Sequence, residues 1–387
     1  MSIWDRLVGQ AHAVESLQRA VADAHSDGTS GGSAMTHAWL FTGPPGAGRS
    51  TAAILFAAAL VCPQGGCGRC ESCTEVLNDT HPDVLRFIPQ QIMITRDEAE
   101  MMIRESSLMP ARGRYRILIV EDADRLNDVS ANMLLKSIEE PHARTVWLMC
   151  SPSSDDVLPT IRSRCRVLAL STPSWRDVAG LLQTEGVDAA LAAYAARASQ
   201  GHVGRARGLA VDDATRRRRA DILNLPSRIV DLASCFVAAE EIVSSATAEA
   251  NAEMDIKDAQ ERDYLLESYG VEGAAKVKAE RAARPALKDL EQRQKSRRTR
   301  AVRDRLDQSL VDLMSFYRDV LVLQIGDGAV ELINEELRPT LLKFAHGSTA
   351  TKTRTRMDSI ERARRQFASN ASPQMILEAL MIELVRA

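Results

Sequence analysis

The segment AWLFTGPPGAGRSTAAILFAAAL, residues 38–60, carries the pattern on which the fold class depends. It begins with a short apolar run typical of a buried β-strand and ends with a longer apolar run typical of a helix. Between them, GPPGAGRS (43–50) follows the phosphate-binding pattern G-x-x-x-x-G-K-[ST] at every fixed position except one, because Arg49 replaces the lysine. Strand, glycine-rich loop and helix in this order predict a P-loop domain.

The loop predicts a phosphate site, and whether that site turns over nucleotide is left open by Arg49. Backbone N–H groups of such a loop and the N-terminus of the next helix attract phosphate whatever the side chains are. A guanidinium, however, is planar and bulkier than the compact ammonium of lysine. A glycine-rich turn without a ligand is the alternative. The predicted nucleotide-binding residues of the loop are Gly43, Gly46, Gly48, Arg49, Ser50 and Thr51.

A second acidic element, RILIVED at 116–122, occupies the place of a Walker B strand. Such a strand should end in an Mg²⁺-binding aspartate followed by a catalytic glutamate, whereas Glu121 here precedes Asp122. Each carboxylate is then displaced by a methylene length, and errors of about 1 Å can cost about 10²-fold in rate. Glu121 and Asp122 are therefore predicted members of a degenerate nucleotide site. The alternative is that they only cap the next helix.

Apolar, β-rich runs alternate with helical patterns over residues 1–172, which predicts an α/β domain with a parallel sheet covered by helices. A small helical lid domain is expected at 173–210, where TPSW starts a helix with Asp177 in its first turn. The predicted strands are AWLFTG (38–43), DVLRFI (83–88), RILIVED (116–122), TVWLMCS (145–151) and RVLALS (166–171).

Residues 211–387 predict an all-α domain, with a charged helical insertion at about 244–300 whose only strong helix breaker is Pro285. The basic run KSRRTRAVRDR (295–305) is interpreted as a solvated helix face, because acidic side chains lie close to it on both sides. The segment after it predicts an amphipathic helix. The apolar positions of that helix are Leu306, Leu310, Leu313, Phe316, Tyr317 and Val320. The Gly/Ser-rich stretch 26–35 is predicted to be a mobile surface loop.

Four cysteines form a C-x4-C-x2-C-x2-C cluster within CPQGGCGRCESC: Cys62, Cys67, Cys70 and Cys73. Four thiolates with glycines turning the chain between them match a closed tetrahedral Zn²⁺ site. With no open coordination position, the metal would be structural and would fold a knuckle that lacks a core of its own. A redox pair is the alternative, but it does not need four ligands.

The composition is that of an ordinary soluble protein. A net charge of -3 argues against wrapping nucleic acid by global charge, and 4% aromatic residues argue against base stacking as a main device. The start, MSIWDRLVGQ, lacks the pattern of a signal peptide, and no apolar run is long enough to span a bilayer. These features predict a cytoplasmic protein without a membrane partner.

Arg164 lies in SRC (163–165), directly before the last predicted strand. An arginine at the edge of a nucleotide-binding sheet can reach the γ-phosphate of a neighbouring subunit as an arginine finger. From chemistry alone, a surface arginine paired with a carboxylate is the favoured interpretation.

Taken together, these motifs resemble the clamp-loader branch of the AAA+ ATPases. The marks are the four-cysteine knuckle before HPDVLRF, the helix ANMLLKSIEEP (131–141), the SRC motif and the opening WDRLVGQAHAVESLQRAV. The resemblance covers residues 1–210 closely, whereas the C-terminal helices match the family's collar domain only in character. It implies an AAA+ P-loop domain, a helical lid and a collar that joins the subunits.

Two kinds of subunit in that family carry SRC, namely the motor subunit and one whose own ATP site is degenerate. This chain resembles the second kind, because Arg49 and the Glu121–Asp122 order depart from the motor pattern and Gly204 takes the sensor-2 arginine position, with Arg205 one step away. The resemblance implies that Arg164 acts on ATP bound by the adjacent motor subunit. It also implies a hetero-pentamer with motor and delta subunits, a sliding clamp and primed DNA reached through the complex.

Two other functions remain open from the sequence. The first is an active clamp-loader ATPase that tolerates Arg49. The second is a zinc-dependent nucleic-acid-binding module that uses the knuckle and the basic run, in particular Arg297 and Arg298. Turnover by the isolated chain distinguishes the first, and salt-dependent DNA affinity distinguishes the second.

Overall fold

The structure is a computed structural model that describes residues 2–26, 34–89, 93–268, 276–326, 330–367 and 371–386. The chain divides into two compact units, Met1–Val211 and Asp212–Ala387. Most of the loop expected at 26–35 lies outside the described residues. None of the described helices combines the length and the apolar character needed to cross a membrane.

In the described part of the first unit, five parallel strands form one sheet in the order β2-β3-β4-β1-β5. All five predicted strands are confirmed. Their bounds are β1 Ala38–Thr42, β2 Val84–Phe87, β3 Arg116–Val120, β4 Thr145–Ser151 and β5 Arg166–Ala169. β1, β3 and β4 are buried along their whole length, which explains why their sequences are continuously apolar rather than alternating.

Helices cover this sheet, and capping side chains fix where several of them begin. Thr95 and Asn127 each close a capping box, and Ser174 caps the first lid helix. The helices of the first unit are α1 Ala11–His25, α2 Arg49–Val61, α3 Glu71–Leu77, α4 Arg96–Ser106, α5 Asp128–Glu139, α6 Pro159–Arg162, α7 Trp175–Thr184, α8 Ala189–Ala198 and α9 Val203–Val211. A short 3-10 helix, Ile3–Arg6, precedes α1.

The core beneath α2 is built on aromatic side chains from the central strand. Trp39 and Phe41 of β1 pack against Phe56 of α2, with ring centroids 5.0 and 6.3 Å apart, and all three side chains are fully buried. Helix α2 is buried along most of its length, so it is apolar on nearly every face. This packing fixes the position of the loop that joins β1 to α2.

Helices α7 to α9 form the region predicted as a lid, and Asp177 lies in the first turn of α7 as expected. Their contacts form a separate apolar cluster centred on Val178, Leu182 and the alanines of α8.

The described part of the second unit is entirely helical, as predicted. Its helices are α10 Asp213–Arg228, α11 Leu232–Ser268, α12 Lys276–Ile325, α13 Arg338–Gly347, α14 Ala350–Gln366 and α15 Pro373–Arg386. The six apolar residues predicted to face a core between 306 and 320 are all buried. Pro285 was expected to break the helix but lies inside α12, so that expectation is wrong.

The basic run 295–305 is not simply a solvated face. Its arginines pair with carboxylates of α11, with Arg297 and Arg298 both on Asp258 and Arg305 on Glu249. Acidic side chains do lie close to the basic run, as the interpretation assumed. They belong to the neighbouring helix α11, however, and the arginines are partly buried against that helix. The described part of the predicted charged insertion thus consists of the C-terminal part of α11 paired with the N-terminal part of α12.

Candidate nucleotide site and metal centre

The loop between β1 and α2 has the backbone that its glycines permit. Gly43 and Gly46 both have φ in the left-handed region, at 152° and 87°. A Cβ at Gly43 would lie 2.5 Å from the carbonyl oxygen of Leu170, and one at Gly46 would lie 2.6 Å from the Cα of His202. The neighbouring backbone thus excludes any side chain at either position. Gly48, with φ of 88°, directly precedes the N-terminus of α2.

A cleft of about 1590 Å³ opens beside this loop. One wall is the chain start, including the 3-10 helix Ile3–Arg6, and another consists of residues of α7 and α9. The predicted loop residues on its surface are Gly46, Gly48, Arg49, Ser50 and Thr51. The cleft therefore joins the P-loop to the predicted lid, and the N-terminus of α2 on its wall has N–H groups of the kind that can bind an anion.

Arg49 folds back onto the loop that carries it. Its Nη1 donates to the carbonyl oxygen of Gly43 at 2.9 Å. The guanidinium thus closes the loop on itself and places its positive charge at the phosphate-binding loop.

Glu121 is buried at the end of β3 and has two partners in the site. The hydroxyl of Ser50 donates to its Oε2 at 2.5 Å. Arg86 donates to its Oε1 from Nε at 3.0 Å, and Nη2 lies 3.0 Å from the same oxygen. The Glu121 side chain is only 9% exposed, so this is a charge pair largely shielded from water.

Asp122 turns away from this group. It has a left-handed backbone, with φ of 48° and ψ of 51°, at the start of the 3-10 helix Ala123–Arg125. Its Oδ2 lies 3.4 Å from Nε of Arg125, and its side chain makes no capping hydrogen bond. Neither acidic residue caps the following helix, so that alternative is wrong.

The residues present do not fit the divalent cation of an active P-loop site. That cation is held by the Ser/Thr of the loop and the Walker B acid. Ser50 and Glu121 are the corresponding pair, but they bind each other and the remaining charge of Glu121 is matched by Arg86. In this structure the serine hydroxyl is therefore engaged with the carboxylate, and the carboxylate with the guanidinium.

The residue predicted at the sensor-2 position lies on the wall of the cleft that the predicted lid contributes. Gly204 is the second residue of α9, and both it and His202 line the cleft. Partial burial lowers the pKa of His202, and the charges of Arg205 and Arg49 lower it further. The packing of His202 over Gly46 is a contact that the sequence did not indicate.

Arg164 lies just after α6 and is 31% exposed. Its Nη1 donates to the carbonyl oxygen of Thr160 at 2.8 Å, and its Nη2 lies 3.0 Å from Oε1 of Glu139 at the end of α5. Glu139 is about half exposed, so the pair is accessible to water and weak. The surface pairing favoured from chemistry alone is thus present, and it leaves the guanidinium near the surface.

The four predicted cysteines meet in one cluster. Their sulfur atoms all lie within 4.8 Å of one another, and Cys62 Sγ is 3.7 Å from both Cys67 Sγ and Cys70 Sγ. A tetrahedron with ligands 2.3 Å from its centre has edges of about 3.8 Å, so these separations suit a Zn–S₄ centre. Among the described residues, the cluster is the group of cysteine, histidine and acidic side chains that could hold a metal ion.

Backbone N–H groups point at the sulfur atoms and favour the thiolate form. The amides of Gln64 and Cys67 donate to Cys62 Sγ at 3.4 and 3.5 Å. The amides of Arg69 and Cys70 lower the pKa of Cys67 to about 6. Burial raises the pKa of Cys73 instead. Cys67 therefore ionises easily and Cys73 does not. A bound cation would balance the charge of four thiolates and so favour the ionised form of both.

Sequence reasoning missed Arg86 and Glu139, the partners of Glu121 and Arg164. Arg86 left a signal, because it interrupts the apolar residues that follow Asp83 in the DVLRFI run (83–88). A charge placed in a buried strand needs a counter-charge. Glu139 gave no such signal, since ordinary helix surfaces also carry glutamate.

Residues 13–174 match the model of a family described as DNA polymerase III, delta subunit. DNA polymerase III subunit delta' of Pseudomonas aeruginosa is 35% identical over 147 residues, which are 35% of this chain and 44% of that protein. DNA polymerase III subunit gamma/tau of Mycobacterium tuberculosis is 34% identical over 164 residues, which are 41% of this chain and 27% of that protein. A solved DNA polymerase III gamma subunit-related protein from Thermotoga maritima aligns over 97% of this chain and 99% of its own length, with 15% identity and a TM-score of 0.45.

The predicted resemblance to clamp-loader subunits with a delta-prime pattern is confirmed by these matches over the first unit. The parallel sheet with its P-loop and the helical second unit agree with the predicted AAA+ class. The chain spans less than half of the length of the first curated relatives that it matches.

Proposed function

We propose that this chain is the delta-prime type of subunit in a bacterial DNA polymerase III clamp loader, with a nucleotide site that does not hydrolyse ATP and an arginine that acts on the ATP of a neighbour. In this role it assembles with motor and delta subunits and takes part in loading a sliding clamp onto primed DNA. The relatives named delta' support the subunit type.

The absence of turnover is supported above all by the buried triad of Ser50, Glu121 and Arg86. Hydrolysis in P-loop proteins needs a divalent cation between the phosphates and this serine–carboxylate pair. Admitting the cation would require Glu121 to leave a guanidinium in a site with little water, and breaking a buried pair is strongly unfavourable. Arg49 and the turned-away Asp122 add two further departures at the same site.

The trans role rests on Arg164. Its guanidinium is near the surface, two residues after the short helix α6, which Ile161 fixes in the core. The pair with Glu139 is exposed, and such pairs contribute about 0–1 kcal/mol. This energy is small compared with the transition-state stabilisation that an arginine finger provides in GTPases, where it raises the rate by a factor of about 10³–10⁵. Transfer of the guanidinium from Glu139 to a phosphate is therefore energetically accessible.

The metal centre is proposed to hold zinc. Four thiolates at tetrahedral separations leave no open position, so the metal would be structural and would not take part in catalysis. Cys62, Cys67, Cys70 and Cys73 would be the ligands, and about one zinc per chain is expected by elemental analysis.

The first experiment measures steady ATP hydrolysis by the isolated chain, with a motor subunit as the positive control. We expect no turnover above background. Hydrolysis that Ser50→Ala abolishes would show instead an active ATPase with an arginine-variant loop.

The second experiment reconstitutes the complex with Arg164→Ala. We expect DNA-stimulated ATPase to fall while the complex still assembles at normal stoichiometry. Arg162→Ala is the matched control, because Arg162 lies two residues before Arg164, at the end of α6, and pairs with the exposed Asp155. Glu139→Gln should change the rate by less than about fivefold, since the pair that it removes is weak. Unchanged turnover with Arg164→Ala would exclude the finger.

A further inference from the structure

We infer that this chain binds a nucleoside diphosphate or triphosphate without a divalent cation, and that Arg86 is the built-in positive charge that replaces the metal. The inference deepens the non-hydrolysing site proposed above and rests on it. It concerns the class of ligand that the site accepts, namely the metal-free nucleotide anion.

Arg86 is placed for this by the sheet. It lies on β2, which is the edge strand, in register with Ile119 of β3. Glu121 follows β3 by one residue, and its N–H donates to the carbonyl oxygen of Phe87 at 2.9 Å. The Arg86 side chain therefore crosses from one strand end to the next and meets Glu121 with two nitrogen atoms at 3.0 Å.

A divalent cation and Arg86 would compete for the same carboxylate. Mg²⁺ demands near-ideal octahedral oxygen coordination at close range, and the Ser50 hydroxyl and Glu121 would be its protein ligands. In this chain the Ser50 hydroxyl donates a hydrogen bond to Glu121, so it is engaged with the carboxylate and not available to coordinate a metal. A cation drawn to Glu121 would also be repelled by the positive charge of Arg86 on the same carboxylate.

The phosphate side of the site remains intact. Gly46 and Gly48 keep left-handed backbones, and the N-terminus of the 13-residue helix α2 follows them directly. Arg49 lies beside those N–H groups and adds one full positive charge. Backbone N–H groups and a guanidinium bind phosphate without a metal. The cleft of about 1590 Å³ at this point has room for a whole nucleotide.

The Glu121–Arg86 pair and the phosphate-binding loop with Arg49 together determine the charge that an incoming phosphate meets. Glu121 is neutralised by Arg86, so the carboxylate does not repel an incoming phosphate, and Arg49 attracts it. An active site reaches the same balance only when Mg²⁺ is bound. The exchange of a mobile cation for a fixed guanidinium retains anion binding and removes the group that hydrolysis requires.

The test measures the affinity of the full chain for ADP by isothermal titration calorimetry, once with Mg²⁺ and once with EDTA. For the natural sequence we expect the two Kd values to agree within about twofold. For Arg86→Gln, which removes the charge and shortens the side chain but keeps a polar end, ADP should bind at least about tenfold more tightly with Mg²⁺ than with EDTA. Arg86→Lys should stay independent of the metal.

Two further measurements guard against a trivial result. Arg96→Ala is the control, because Arg96 is an exposed arginine of the same unit that pairs only within α4; it should behave like the natural sequence. Electron paramagnetic resonance with Mn²⁺ and ADP should report a bound metal for Arg86→Gln and none for the natural chain. This signal reports the metal itself, so it does not depend on a change in affinity.

Each outcome decides between the two proposals. Binding of ADP by the natural chain that needs Mg²⁺ would overturn the inference, and so would the absence of any ADP binding. Both results would leave the roles of Arg164 and of the non-hydrolysing subunit untouched. Steady ATP hydrolysis by the natural chain would overturn the proposed function, and the inference with it.

Discussion

The proposed metal at the four-cysteine cluster is expected to stabilise the 3-10 helix Ile3–Arg6, which forms one wall of the cleft. The N–H of Ile3 donates to the carbonyl oxygen of Gly66 at 3.4 Å, and a Cβ at Gly66 would lie 2.8 Å from Cγ2 of Ile3. The knuckle backbone therefore touches this helix directly. We predict that Cys70→Ala, which removes a half-buried ligand, loosens residues 2–10 as well as the knuckle itself.

The size of the effect follows from burial. Ile3, Trp4 and Leu7 are 1%, 6% and 6% exposed. Burying three such side chains stabilises the segment by about 5–9 kcal/mol, whereas fixing the backbone of residues 3–7 costs about 5–10 kcal/mol. The segment is thus held by a small margin. Losing the packing of Ile3 on the knuckle, about 2 kcal/mol, should raise the population of its locally open form about 30-fold.

Hydrogen exchange measured by mass spectrometry tests this, with strand β4 as the internal reference. Amides of residues 2–10 should exchange about 30-fold faster in Cys70→Ala, while β4 stays unchanged. Cys235→Ala is the matched control, because Cys235 is a buried cysteine of the second unit outside the cluster. If elemental analysis shows that Cys70→Ala has lost its metal and residues 2–10 remain fully protected, the reasoning is wrong.

Three other substitutions test the charged contacts of the fold. Arg219→Met should lower the free energy of unfolding, measured in urea, by about 3–5 kcal/mol, because it removes the arginine paired with the buried carboxylate of Asp312. The control Arg217→Met, at an exposed position, should change this free energy by less than about 0.5 kcal/mol. Equal effects of the two substitutions would contradict the account. Arg297→Ala should lower the melting temperature without changing DNA affinity, since this arginine is paired with α11; a lost DNA affinity at unchanged stability would support the nucleic-acid module. Burial alone would raise the pKa of Asp83, but three backbone N–H groups hold it below its ordinary value. Its stabilisation is therefore present above about pH 4 and lost as the pH falls further, and unfolding curves of Asp83→Asn should show less dependence on pH in that range than those of the natural chain.

Local sequence determined the elements of this protein well. Nearly continuous apolar runs predicted all five strands, because the strands β1, β3 and β4 are buried along their whole length and such strands are mostly apolar. The spacing of the four cysteines predicted their cluster, because ligands that are close in the chain can meet without help from the rest of the fold. Pro285 is the exception, since a proline can be kept inside a long helix when packing along that helix outweighs the lost hydrogen bond.

The state of the nucleotide site depended on contacts between distant residues. GPPGAGRS and the Glu121–Asp122 order showed from sequence that the site departs from the motor pattern. Only the tertiary structure placed Arg86 on Glu121, because the register of β2 beside β3 brings together side chains that lie 35 positions apart. Glu139 meets Arg164 in the same way, through the packing of α5 against α6. Sequence spacing specifies which residues a single element can present, whereas the pairing of charges across elements is fixed by strand register and helix packing.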